Sequence, residues 1–399
     1  MYSRVRLVSA FCFVLSTSLL ATEAKSVIFG PPSSSTEVLY LLEGSAVHTY
    51  DIDRQTGSPT QEGSGVTLDA TQTIIMVPSA DDHFLYVTGY VGSTESLWVY
   101  ATDSTGVPQL PAIQTVALGT GYSAISIDPD GTLGYATQNT LNAQFETVAA
   151  IYSFTIDPAT GTVKKSAKPV ATYPANGPCS QGAEFAGLVV VGFNTKGTQM
   201  YDEWGCGYHD SGGQGFYYAR PVNQTTGAVG AEKQVLYWDN GSNTSTNLVN
   251  ITPSTVVYFS LPNDFTYGYG ELFAYPLSGG TNPLVSCTAS MLEACGYATW
   301  ETVDPSGNYV FFEISSNATQ VTRLEPGQKK IADTGNYVNG HVWAFSPDDV
   351  LIYTEDEDLF NPWVYSIYVF DPATGGVSYT GAQIVTTTYA DQVLGAVRK

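Results

Sequence analysis

Positive charge is scarce in this chain. Lys and Arg number 15 against 37 Asp and Glu, a formal net charge of −22. A chain so poor in cations has no basic face to neutralise phosphates, which excludes nucleic acid as a partner. It also lacks the Arg or Lys cluster that a phosphorylated substrate calls for. Charge of either sign is sparse at 13% of residues, whereas 43% are apolar and 13% aromatic. A disordered acidic segment would be poor in aromatics, so this chain folds. Long amphipathic helical patterns are missing. Beyond the N-terminus so are apolar runs long enough to span a bilayer, and no membrane span is expected.

The one apolar run covers residues 7–21, behind Arg4 and Arg6 and ahead of Thr22-Glu23-Ala24. Its length and small-residue end read as a signal peptide over residues 1–24. The remainder, 25–399, is then a single exported domain: secreted, periplasmic or at the cell surface. Cysteine is also rare. Cys12 lies in the leader, leaving Cys179, Cys206, Cys287 and Cys295. An even count in an exported chain predicts two disulfides. Three pairings are open. Cys179–Cys206 and Cys287–Cys295 are the local ones and are the expected pairs.

Short alternating strands broken by Gly, Asp, Pro and Thr-Gly turns dominate, as in Leu97-Trp98-Val99-Tyr100. This is an all-β signature. Two motifs recur along it. One is a strand ending in Tyr50, Tyr100, Phe154, Tyr218, Tyr275, Leu324 or Phe370, usually followed by Thr-Gly or Gly-Gly. The other is a turn such as Asp128-Pro129-Asp130-Gly131, followed by a strand carrying an aromatic. Those aromatics fall at Tyr40, Tyr86, Tyr135, Tyr201, Phe259, Phe311 and Tyr353. The two series alternate throughout. A unit of two hairpins repeated in this way predicts a seven-bladed β-propeller with four antiparallel strands per blade. Two closures are open: whole blades, or a strand swap between residues 27–30 and 383–388. The loops from the outermost strand to the next innermost strand share one face with the loops joining the second and third strands. That face is where function is expected.

The paired signatures, clearest in Ala124–Gly131 with Ile151–Gly161 and in Tyr368–Gly375, resemble the lactonase-like seven-bladed propellers. That family includes proteins similar to 6-phosphogluconolactonase and carboxymuconate cyclase. The resemblance spans most of the chain and implies the propeller fold. It also implies a catalytic His before an inner strand and a Glu after the next Tyr strand, positions that His341 and Glu357 occupy. Asn339-Gly340 stands where the family carries Pro-Arg, and no His-x-His occurs.

The expected functional face carries several further candidates. Asp202, Glu203, His209 and Asp210 fall in one carboxylate- and aromatic-rich stretch around Cys206, and Glu184, Glu301 and Glu355 lie in neighbouring loops. Carboxylate and carbonyl oxygens suit a hard cation, so Ca²⁺ is a candidate ligand while no cofactor is required. The functional expectation is an extracellular binding module for a carbohydrate, a protein or a cation, acting as a monomer. The alternative is a lactone hydrolase or cyclase, with His341 as general base and Glu357 orienting it.

Overall fold

The computed structural model describes residues 36–398, apart from 55, 124, 180–184, 209–211, 240–243, 252–254, 263–270, 277–284, 288–300, 316–317, 326–329 and 357–362. The expected leader over 1–24, the expected strand at 27–30 and the expected site residues Glu184, His209, Asp210 and Glu357 lie outside the described residues, as does Cys295.

No helix occurs among the described residues, and every strand pairing is antiparallel. The first strands are β1 (Thr36–Glu43), β2 (Ala46–Ile52) and β3 (Pro59–Thr67). Sheet 2 follows as β4 (Gln72–Pro78), β5 (Phe84–Val91), β6 (Thr94–Ala101) and β7 (Gln114–Gly119). Sheet 3 is β8 (Ser126–Ile127), β9 (Leu133–Leu141), β10 (Thr147–Ile156) and β11 (Val163–Lys165), with β12 (Ala171–Thr172) also on β10. Sheet 4 is β13 (Phe185–Phe193), β14 (Gln199–Tyr208), β15 (Gly212–Pro221) and β16 (Lys233–Asp239). Sheet 5 is β17 (Thr244–Ile251), β18 (Thr255–Pro262), β19 (Glu271–Pro276) and β20 (Val285–Cys287). Sheet 6 is β21 (Glu301–Val303), β22 (Tyr309–Ser315), β23 (Ala318–Glu325) and β24 (Lys330–Val338). Sheet 7 is β25 (His341–Phe345), β26 (Leu351–Asp356), β27 (Trp363–Asp371) and β28 (Gly376–Thr386).

The last strand, β29 (Gln392–Arg398), returns to sheet 1 and pairs with β1, Leu39 opposite Gly395. Sheet 1 therefore runs β29-β1-β2-β3. The closing strand is not the 383–388 segment of the strand-swap alternative, because Gln383 to Thr386 already pair with β27 as the outer strand of sheet 7. First strands meet first strands around the assembly: β25 touches β29, β29 touches β4, and β13 touches β17. This is the propeller arrangement, with first strands innermost.

Both sequence motifs have local physical causes. In the first turn of each motif, the leading side chain accepts the amides that the turn leaves open. Asp128 Oδ1 takes the N–H groups of Thr132 and Leu133 at 2.9 Å, and Ser346 Oγ those of Val350 and Leu351 at 3.0 and 2.8 Å. The fourth residue is left-handed, with φ of +68° at Gly131 and +73° at Gly307. Asp82 and Asp349 hold that place at +58° and +63°. The Thr-Gly turns are constrained twice over. Gly161 has φ +69°, and a Cβ there would lie 2.3 Å from Phe84 of the preceding sheet. Gly375 meets Tyr309 and Gly106 meets Val38 in the same way. Only glycine lets the outer hairpin press against its neighbour.

The recurring aromatics fill the gaps between sheets. Tyr40, Tyr86, Tyr135, Tyr201 and Tyr353 are buried, and each such burial contributes about 1.5–3 kcal/mol. Their hydroxyls tie sheet to sheet. Tyr40 donates to Gly106 O at 2.9 Å, and Tyr135 to Gly227 O at 3.1 Å. One core cluster joins Val38, Tyr40 and Leu42 of sheet 1 to Met76, Leu85 and Trp98 of sheet 2, and others repeat this between later neighbours.

Candidate functional site

His341 opens the innermost strand of sheet 7. It follows Gly340, whose φ of +79° turns the chain sharply and whose carbonyl accepts the Thr319 hydroxyl at 2.6 Å. The Asn339 amide donates to Tyr368 Oη at 3.1 Å. The ring is thus delivered by a short, pinned connection between β24 and β25. It is 9% exposed, and its Nδ1 lies 3.0 Å from Glu313 Oε2. Glu313 belongs to β22 of sheet 6, so the pair crosses a sheet boundary. Such a contact fixes the tautomer and orientation of an imidazole.

Two residues on, Trp343 has no partner in the ladder between Val342–Thr354 and Ala344–Tyr353. It is the extra residue of a β-bulge, a device that re-aims a side chain. Its Nε1 donates to Glu355 Oε2. Glu355 is 2% exposed and stands on β26 opposite His341 in register. The Trp343 ring meets His341 at 5.3 Å and Tyr389 at 5.9 Å between centroids, and Tyr389 meets Trp363 at 4.9 Å. Tyr389 is 38% exposed, so this aromatic row reaches solvent. The Ala390 amide donates to Tyr365 Oη, and Gly44 N to Asp391 Oδ2 at 2.6 Å, which anchors the crossing from sheet 7 to sheet 1 beside the row.

The structure does not keep the other sequence candidates together. Asp202 and Glu203 lie within β14 rather than in a loop. Asp202 is fully buried, and Arg220 Nε donates to its Oδ1 at 3.0 Å. Tyr173 Oη donates to its Oδ2, and Arg220 also binds Glu232 and Gly230 O. Burial raises the Asp202 carboxyl to about 6 despite that guanidinium. It serves as an internal ion pair, held by Arg220 of the adjoining strand β15 and by Tyr173 from the segment after β12. Burial likewise raises Glu203, beside Tyr217, to about 7. Glu301 begins β21 opposite Phe312, and Cys287 ends β20. Cys179 and Cys206 form the expected disulfide. No group of three or more His, Cys, Asp or Glu side chains is placed to hold a metal among the described residues. Nor is any described helix long and apolar enough to cross a membrane.

His341 and Glu355 were among the sequence candidates, whereas Glu313 and the Trp343 bulge were not. A signal for Glu313 was present in the repeat. Glu203, Glu313 and Glu355 each stand two residues after the recurring aromatics Tyr201, Phe311 and Tyr353.

No family model matches the chain, and no curated protein matches it. Solved structures do. A candidate 6-phosphogluconolactonase from Bacteroides uniformis is similar with a TM-score of 0.59 at 16% identity, over 91% of this chain and 100% of that one. A candidate 6-phosphogluconolactonase from Bacteroides fragilis gives 0.55 at 15% identity, over 92% and 100%. A puromycin hydrolase variant gives 0.53 at 11% identity, over 93% of this chain but 55% of its own. At these identities the likeness establishes the propeller fold.

Proposed function

We propose that this chain is an exported, seven-bladed, lactonase-like propeller that works as an extracellular binding module for a neutral carbohydrate. The blade count rests on the seven sheets that follow one another along the described chain. The observation that carries the function is the row Trp343, Tyr389 and Trp363 beside the carboxylates Glu313 and Glu355. Partly exposed aromatic rings offer apolar faces to a sugar ring, and carboxylates accept hydrogen bonds from its hydroxyls. Arg54 and Arg220 are bound to Asp348 and Asp202 elsewhere, which argues against a phosphorylated or acidic ligand here. Quenching of tryptophan fluorescence by a panel of neutral oligosaccharides tests the reading. Binding by the wild type and its loss in Trp343→Ala is the expected result. Binding unchanged in that variant would move the site elsewhere.

One observation favours a second reading, lactone hydrolysis. His341 and Glu313 stand in the relation of a general base and its orienting carboxylate at 3.0 Å. In that reaction His341 would take a proton from water as the oxygen attacks the lactone carbonyl, and Glu313 would hold the imidazolium that forms.

A further inference from the structure

The opposite face of the molecule carries a buried acid at the seam where the ring closes. Glu37 lies on β1 opposite Val397 of the closing strand β29 and is 0% exposed. The hydroxyl of Tyr353, from sheet 7, donates to its Oε1 at 2.9 Å. Its Oε2 has no hydrogen-bond partner among the described residues. Gly395 of β29 is packed so closely that an added Cβ would sit 3.3 Å from Glu37 Oε1 and 2.8 Å from Phe345 O. The carboxyl group therefore touches β1, β29 and β26 together. It joins the first sheet, the last sheet and the strand that connects them.

We propose that Glu37 is held as the neutral acid and that its proton latches the closing strand, so that β29 loosens from β1 and sheet 7 as the medium turns alkaline. A carboxylate with one hydroxyl donor and no access to water would be poorly compensated there, whereas the neutral acid buries no charge. Among the described residues, the titratable and charged groups facing it are few. They are Tyr353 from β26, Arg54 from the β2–β3 turn and Asp82 from the β4–β5 turn. Arg54 favours ionisation but also binds Asp348, and Asp82 opposes ionisation while accepting the Tyr40 hydroxyl at 2.8 Å. Burial outweighs both and raises the group from 4.5 to about 8. The unfolded or opened strand releases this proton near the ordinary carboxylate value, and the closed seam keeps it. The latch is therefore at full strength below about 4.5 and is lost as the pH rises toward 8. One proton linked in this way changes the opening constant by up to about tenfold per pH unit within that window.

Amide hydrogen exchange of β29 between pH 5 and 9.5, corrected for intrinsic exchange and referred to β9 of sheet 3, reads this directly. Wild-type protection in β29 should fall by up to about tenfold per pH unit relative to β9. In Glu37→Gln that relative slope should vanish. Tyr353→Phe removes a donor that favours the ionised form, so its transition should move to higher pH. An unchanged slope in Glu37→Gln would overturn the proposal. If that variant does not fold, the absence of an upward shift in Tyr353→Phe would overturn it equally.

Discussion

His341 of sheet 7 and Glu313 of sheet 6 meet at 3.0 Å, so the candidate site exists only where two sheets are stacked correctly. Neither residue is near the other in sequence, being 28 positions apart. Their contact couples the site to the packing that builds the ring. Glu313→Ala should leave a buried ring N–H without this acceptor, at a stability loss of about 1–3 kcal/mol. Glu313→Gln, which keeps an acceptor, should lose less. Urea denaturation of the two variants beside the wild type checks the order.

Two turn glycines, Gly92 between β5 and β6 and Gly161 between β10 and β11, separate two costs. Gly92 and Gly161 have φ values of +64° and +69°, but a Cβ on Gly92 meets nothing within 4 Å. Gly92→Ala should therefore lose only the backbone term, about 1 kcal/mol. Gly161→Ala also drives a methyl into Phe84, so its loss should be larger by at least about 1–3 kcal/mol. Equal losses in thermal unfolding would mean that sheets 2 and 3 are not pressed together at that turn.

Arg220 is 6% exposed and binds Asp202, Tyr173 and Glu232. Removing it leaves a buried carboxyl without its counter-ion, so Arg220→Met should cost about 3–5 kcal/mol. The double variant Arg220→Met, Asp202→Leu should recover much of that loss, because no charge then remains buried. A double-mutant cycle by chemical denaturation measures the difference.

Asp349 holds a left-handed turn position that glycine fills in the corresponding Asp128 and Asp304 turns. Burial and the neighbouring Asp304 carboxylate raise it from 3.8 to about 9. A raised carboxyl is protonated in the fold and ionised in the unfolded chain, so its penalty grows as pH climbs from about 4 to about 9. Asp349→Gly removes both this group and the conformational strain. It should raise the Tm, and by more at pH 8 than at pH 5. A gain that is constant across pH would leave the strain explanation and remove the titration.

The parts of this fold legible in the sequence are those set by local chemistry. Asp128 and Ser346 announce their turns because their side chains accept amides a few residues ahead. Tyr40, Tyr135 and Tyr353 mark second strands because that register always faces a neighbouring sheet. The closing strand was not legible, since Gln392–Arg398 carries neither motif and earns its place only by meeting β1. Among the site residues, His341 was visible from its place before an inner strand. The partner expected for it, Glu357, lies outside the described residues, and Glu313, which reaches it across a boundary between repeats, was not singled out. The same limit applied to Asp202, whose acidity suggested a ligand while Arg220, on the adjacent strand, takes it up internally.

On the proposed reading, the His341–Trp343 end of sheet 7 binds a ligand rather than turning one over. Measuring oligosaccharide binding and lactone hydrolysis on the same preparations of wild type and His341→Ala tests it most directly. The expected result is saturable binding that weakens about tenfold in His341→Ala, a loss of about 1.4 kcal/mol, with lactone hydrolysis at the background rate in both. Lactone turnover above background in the wild type, abolished in His341→Ala, would contradict it and establish the hydrolytic reading.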